Sequence, residues 1–373
     1  MICSLYFSYF NERGFHSSIA LYSDSCSFLR PVMKRHFRFI FYNLIVLVAL
    51  LGIAEYSVAY LLDHPTSIPE GWTEDMRSYY MTKDRRIAQY VPELAHYDPK
   101  LFYRLNPGDH RFENREFSTA LSVNSMGLRD DEGSLNRPEI VFLGDSYTMG
   151  WGVEAKDCFA SIVELQTGSK TLNTGISSYG TVRELELLKQ IDTSALKLLV
   201  VQYSFNDFGE NTEFYFSETG YRPSSEEEYT ATVKEHADAT AYFPLKHISH
   251  FARSWFETHF PPPQEPQTEE ELHYVDQWKA FANVLQKAAI PPHIPIVVIQ
   301  VDSEHQQDVF IHPLKANVLQ NDTLLSNPIH VLDLQQLLTD DHYYLLDRHL
   351  NAAGHAEVGR ALSEFIASLQ KVE

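Results

Sequence analysis

The chain has 373 residues, enough for two average domains or for one domain with a leader and insertions. Apolar residues make up 44%, which leaves ample material for a buried core. A formal charge of −20 repels phosphate backbones and anionic headgroups, which argues against nucleic acid as a partner and leaves solubility as the plain role for the acidity.

Of the three cysteines, Cys3, Cys26 and Cys158, only Cys158 falls where the chain reads as a folded domain. No disulfide framework is expected there. No Cys/His spacing matches a zinc site, and the 17 histidines are scattered.

Residues 1–32 mix polar and aromatic types without periodicity and read as an extension with no folded role. Lys34, Arg35, His36 and Arg38 then precede an apolar run from Phe39 to Ala54, broken only by Asn43. A basic flank before an apolar stretch is the pattern of a signal peptide or a transmembrane anchor, here residues 33–62. If translation starts at Met33, Gly52-Ile53-Ala54 offers small residues for signal cleavage. Continued to Leu62, the run is long enough to span a bilayer, although Glu55 fits poorly beside hydrocarbon. Either way the basic flank stays in the cytoplasm, and everything after residue 62 is expected on the periplasmic or extracellular side.

Residues 63–137 are rich in proline, charge and aromatics. Strand-like alternation over Lys100–Leu105 and Arg115–Val123 suggests a small β-containing N-terminal subdomain. From residue 138 strands and helices alternate. Strands are expected at Ile140–Leu143, Thr171–Ile176, Leu196–Tyr203, Ile296–Val301 and Ile329–Leu334. Helices are expected near Asp157–Gln166, from Thr181 with Glu184 at capping-box spacing, after Thr268 with Glu271 at the same spacing, and over Asn351–Leu369. The irregular stretch 208–267 is long enough to be a lid, with Phe243–Trp255 forming a short helix over a pocket. Residues 138–373 therefore read as one three-layer α/β/α domain with a parallel five-stranded sheet, flavodoxin-like in order 2-1-3-4-5.

The chemistry gathers at one sheet edge. Ser146 follows the first strand in Gly144-Asp145-Ser146, Gly175 ends the second, Asn206 follows the third, and Asp347-Arg348-His349 precedes the last helix. A serine hydroxyl is a poor nucleophile until an imidazole takes its proton, and His349 is the candidate base. Asp347, two positions earlier in a segment taken as extended, lies on the same side and can fix the imidazole tautomer. Backbone N–H groups of Ser146 and Gly175, with the Asn206 amide, are candidate oxyanion donors.

These four blocks resemble the SGNH (GDSL-type) hydrolase family over roughly residues 138–369, leaving the leader and N-terminal subdomain unexplained. Gly144-Asp145-Ser146 matches the family's first block, Gly175 the second, Asn206-Asp207 the third and His349 the last. The resemblance implies a flavodoxin-like esterase, lipase or carbohydrate acyl-esterase without metal or organic cofactor. Two departures stand out: Ser204 replaces the third-block glycine, and Asp347-x-His349 is shorter than the usual Asp-x-x-His. The shorter form looks like the branch that includes alginate O-acetylation proteins, and it raises acyl transfer to a glycan beside plain hydrolysis.

Blander readings compete at each position. Gly-Asp-Ser alone is a common turn, and only the four blocks together single out Ser146. His342 and His355 lie near His349, and Asp341 could replace Asp347. Asp145 and Asp207 read as structural, while Trp151 either lines the pocket or packs. The α/β-hydrolase elbow needs glycine at 148, where this chain has Thr148, and no Walker-type phosphate loop is present. The leading function is an exported serine esterase acting on an O-acylated glycan or lipid-like ester. An O-acyltransferase to a cell-envelope polysaccharide and a non-catalytic binding module are the alternatives.

Overall fold

The computed structural model describes residues 23–261, 275–288, 290–302, 308–320 and 326–371, with side chains from Arg35 onward. The expected cap at Thr268 and Glu271 lies outside the described residues.

The described residues begin with a long helix, α1 (Ser23–Asp63), which includes part of the stretch expected to lack a folded role. After the short α2 (Thr73–Tyr79) come two antiparallel hairpins. The first joins β1 (Ala95–Asp98) to β2 (Phe102–Leu105), and the second joins β3 (Gly108–Asn114) to β4 (Phe117–Val123). Side chains of β4 alternate between buried and exposed along its length, as period-two patterning requires of a half-covered strand.

The α/β region follows in chain order as β5 (Ile140–Leu143), α3 (Ser146–Met149), α4 (Phe159–Thr167), β6 (Thr171–Asn173), α5 (Thr181–Leu188) and β7 (Leu198–Tyr203). Next come α6 (Asp207–Phe216), α7 (Glu226–Thr240), α8 (Lys246–His259) and α9 (Gln277–Lys287). The chain closes with β8 (Ile296–Gln300), α10 (Ile311–Gln320), β9 (Ile329–Leu332) and α11 (Ala352–Leu369). All five strands are parallel in the order β6-β5-β7-β8-β9, the doubly wound 2-1-3-4-5 arrangement expected from the sequence.

Alternate residues of each strand serve opposite faces. Val141, Leu143, Leu199, Val201, Ile296 and Val298 pack with α5, α9 and α10. Ile140, Phe142, Leu198, Val200, Val297 and Ile299 pack with α4 and α11. Strands β5, β7 and β8 are buried throughout, which accounts for their unbroken apolar sequence.

The chain divides into two compact units. One holds Met1–Ala59 with Pro244–Phe256, and the other holds Tyr60–Phe243 with Glu257–Glu373. Residues 63–137 thus do not stand apart from the α/β sheet. Their core of Val91, Leu105, Phe112 and Leu121 runs into Met149 and Trp151 beside β5. The stretch expected as a lid is different again. Its described part folds into α6, α7 and α8, and Pro244–Phe256 groups with the N-terminal helix, not with the sheet.

The capping pair expected at Thr181 and Glu184 is also not made. Gly180 is the N-cap residue of α5, and the Thr181 hydroxyl donates to Asp207 instead. Glu184 is buried with neither carboxylate oxygen hydrogen-bonded. Burial first, then the nearby Asp207 and Asp145, push its pKa up.

Candidate active site

Ser146 leaves β5 at a crowded corner. A Cβ on Gly144 would meet the Thr148 and Gln202 side chains, so glycine leaves room for both beside the corner. The freed space holds a small network. Gln202 Oε1 accepts from Asp145 N–H (3.2 Å) and Thr148 Oγ1 (2.9 Å), while Gln202 Nε2 donates to Ser204 Oγ (2.6 Å). Asp145 caps α3 by accepting from Tyr147 N–H at 3.0 Å. Its carboxyl is raised by burial against these partners.

His349 reaches this corner from the loop before α11. Its Nε2 lies 2.7 Å from Ser146 Oγ, and its Nδ1 makes a short hydrogen bond to Asp347 Oδ1. Ser146, His349 and Asp347 are 7%, 9% and 1% exposed. Burial alone would raise the Asp347 carboxyl. The charges and hydrogen bonds of His349, Arg85 and Tyr80 outweigh it and hold the pKa below the usual carboxylate value. Asp347 therefore stays ionised beside the imidazole.

Asp347 and His349 meet by a different geometry from the extended segment expected. Arg348 has φ 63°, in the left-handed region, and Tyr343 pairs with Leu350 across a tight antiparallel loop. The loop closes through Tyr344 N–H to His349 O and Arg348 N–H to Tyr344 O. The one-residue spacing works because the chain reverses at Arg348.

The turn of the β3–β4 hairpin, helix α2 and Tyr80 just after it hold this loop, which the sequence did not reveal. Tyr80 Oη donates to Asp347 Oδ2 at 2.5 Å, taking the oxygen that His349 leaves. Glu116 accepts three consecutive N–H groups, from Leu345, Leu346 and Asp347, at 2.8–2.9 Å. Arg77 Nε donates to Leu345 O at 3.0 Å. Arg85 Nη1 lies 4.0 Å from Asp347 Oδ1, and its guanidinium sits 5.8 Å from the Trp151 ring centroid. Trp151 in turn stacks on His349, with centroids 4.9 Å apart and planes 20° from parallel. Trp151 is thus a clamp on the imidazole as well as a core residue.

The oxyanion candidates separate. Ser146 N–H, at the first position of α3, has no acceptor within the helix. Asn206 is exposed at the start of α6, and its amide makes only a long 3.5 Å contact to Tyr179 O. Gly175 departs from expectation. Its N–H donates to Asn173 Oδ1 at 2.9 Å in a buried Asx turn, so it does not point freely into the crevice. The glycine is needed for packing, since a Cβ there would lie 2.2 Å from Met149 N.

The neighbouring polar residues have structural partners. Asp207 accepts from Thr181 N–H and Oγ1 and from Ser204 N–H, tying the third block to α5. Ser204 keeps a negative φ, so the missing glycine introduces no strain. His355 is fully inside, with Nδ1 accepting from Phe159 N–H at 3.3 Å. Burial, aided by Arg129 and His349, lowers its pKa to about 3. His342 caps the turn at Thr339, and Asp341 is not in the triad's hydrogen bonds. The Cys158 thiol is raised by burial and stays protonated. Among the described residues, no three His, Cys, Asp or Glu side chains gather as a metal site.

Beside Asn206 opens a pocket of about 370 Å³. Tyr90, Phe102, Tyr103, Phe214 and Tyr221 give it aromatic walls, with Arg183 among them. Arg183 is held by Glu210 at 2.6 Å and lies over the Tyr179 and Tyr103 rings.

No family model and no curated protein matches the chain. Solved structures similar to it include a carbohydrate esterase of family 3 from Talaromyces cellulolyticus, at 11% identity and TM-score 0.34, covering 63% of this chain and 98% of that one. Another is a member of the lipolytic protein G-D-S-L family from Veillonella parvula, at 13% identity and TM-score 0.31, covering 61% and 96%. A salicylyl-acyltransferase from a tetracycline biosynthetic pathway has 12% identity and TM-score 0.33, covering 72% and 60%. None of these scores bears on function. The fold itself brings together a buried Ser146–His349–Asp347 hydrogen-bonded chain at the carboxyl edge of a doubly wound parallel sheet.

Proposed function

We propose that the chain is an SGNH-type serine enzyme that takes an O-acyl group from a glycan ester onto Ser146, on the outer side of a membrane that its N-terminal segment enters. The observation that carries the reading is the continuous chain from Ser146 Oγ through His349 to an ionised Asp347. As Ser146 Oγ attacks the acyl carbonyl, His349 Nε2 takes its proton and Asp347 stabilises the imidazolium. Ser146 N–H and the Asn206 amide face the developing oxyanion. His349 then returns the proton to the departing alcohol, leaving an acyl-serine that water or a second alcohol clears.

The pocket beside Asn206 favours a sugar over a long acyl chain. An acyl chain wants a dry, apolar slot, whereas rings of Tyr90 and Tyr221 beside an arginine–glutamate pair suit sugar faces and hydroxyls. The same pocket supports acyl transfer as the second reading, because it can hold an alcohol acceptor in place of water.

The test uses the full chain in detergent with p-nitrophenyl acetate, with and without an oligosaccharide acceptor, beside Ser146→Ala. Nitrophenol release that disappears with Ser146→Ala supports the acyl-enzyme, and release that survives the substitution sinks it. Acetylated oligosaccharide marks the transferase. Free acetate alone marks the hydrolase, and no turnover of any ester marks a binding module.

A further inference from the structure

The apolar leader and the helix α8 belong to one unit, and their junction sits at a definite depth. Within Arg35–Asp63 the most apolar 18-residue stretch has a mean hydropathy of 2.2, and the helix is long and apolar enough to cross a membrane by length and composition. Its large apolar side chains, the half-buried Leu51 apart, are exposed from Phe37, 72% exposed, to Ile53, 63% exposed. Residues 37–54, at about 1.5 Å each, reach about 27 Å, close to the roughly 30 Å of a hydrocarbon core.

The next residue is Glu55, and it is 7% exposed. Its carboxylate accepts N–H groups of His247 (3.2 Å) and Ile248 (3.0 Å), two of the donors that the first turn of α8 leaves without intrahelical acceptors. The charge that fitted poorly beside hydrocarbon is thus occupied as a helix cap, one residue past the apolar stretch.

Helix α8 is strongly two-sided. Ile248, Phe251, Ala252 and Trp255 recur at helical spacing, with Phe256 beside them, while Ser249, His250 and Arg253 lie on other faces. Trp255 and Phe256 are 58% and 57% exposed. Tyr56, beside the capping residue, is 71% exposed. Aromatic side chains at the end of an apolar span mark the lipid–water boundary, and an aromatic amphipathic helix at that level lies in its plane.

We propose that α8 is an in-plane membrane helix, seated in the outer lipid–water boundary and tied to a retained transmembrane span by Glu55. This rests on the anchored reading given above. Cleavage after Ala54 would make Glu55 the first residue of the chain and remove the helical turns that hold its carboxylate under α8, so the tie also assigns the leader as uncleaved.

The full chain is reconstituted in phosphatidylcholine/phosphatidylglycerol vesicles whose acyl chains are brominated near the glycerol, and tryptophan quenching is compared with Trp255→Phe. Most of the quenched emission is expected to be lost in Trp255→Phe, while its hydrolysis of p-nitrophenyl acetate matches wild type. Quenching unchanged by the substitution would overturn the in-plane helix. Intact mass of the membrane-extracted chain is expected to include residues before Glu55, and a chain beginning at Glu55 overturns retention. A chain that leaves the membrane in alkaline carbonate refutes the anchor itself, which separates that failure from the failure of α8 to enter lipid.

Discussion

The two arms of the triad are built in opposite ways. The nucleophile's corner is local: Gly144, Asp145, Ser146 and Thr148 lie within five consecutive positions, and one strand neighbour, Gln202, fastens them. The acid's loop is held from far away, by Tyr80, Arg77 and Glu116 of the N-terminal region, more than two hundred positions earlier. The corner is held by its own turn and the sheet, whereas the loop is held by Tyr80 and Glu116 from outside the sheet. On the proposed reading the N-terminal region supports the catalytic loop directly, through Tyr80, Arg77 and Glu116.

The sharpest break in that comparison comes at the acid itself. Asp347→Asn keeps the loop's shape but favours the wrong imidazole tautomer, and kcat is expected to fall about 10⁴-fold with KM little changed. Steady-state hydrolysis of p-nitrophenyl acetate checks it. On the nucleophile's side, Asn206→Ala removes an exposed donor with no structural bond stronger than a 3.5 Å contact. It should lower kcat by about 10²–10³-fold and leave the melting temperature unchanged. A large loss of stability there would show that Asn206 is structural.

Glu116→Gln probes the long-range support. Two carboxylate oxygens now take three N–H groups, and the amide can satisfy only part of that set. A loss of about 1.5–3 kcal/mol in denaturant unfolding is expected, as for hydrogen bonds to a charged group. The same change should slow kcat by loosening Asp347. Unchanged stability would mean that the hairpins do not hold the loop.

Tyr80→Phe gives the smallest and most specific effect. The Asp347 pKa is depressed in the folded protein, so its stabilisation is present above the usual carboxylate value and is lost as pH falls through the depressed one. Removing the Tyr80 hydroxyl raises the folded pKa. Acid loss of both stability and activity should begin at higher pH than in wild type, with values at neutral pH nearly equal. Coincident pH profiles would remove Tyr80 from the acid's support.

What could be read in the sequence follows the same division. Strand order and the meeting of Ser146 with His349 were legible because apolar runs and turn residues mark sheet edges locally. Tyr80 and Glu116 carry no such mark, since a tyrosine in a helical segment and a glutamate in a hairpin turn are ordinary at those positions. Local spacing also misled. Thr181 and Glu184 have capping-box spacing, yet Asp207 draws the threonine hydroxyl away. Asp347 and His349 suggested an extended segment, yet Arg348 turns the chain at φ 63°. The Gly175 N–H was a fair oxyanion candidate by its position, but the neighbouring Asn173 side chain claims it. The aromatic helix read as a lid because a long segment rich in aromatics marks an apolar surface without saying whether protein or lipid covers it.

The central claim, a nucleophilic Ser146 activated by His349 and Asp347, is tested most directly by covalent trapping. The full chain is treated with diethyl p-nitrophenyl phosphate and mapped by peptide mass spectrometry. One diethylphosphoryl group per chain on Ser146, absent in Ser146→Ala and formed much more slowly in Asp347→Asn, is the predicted result. Label on another residue, or no label on a folded chain, would contradict it.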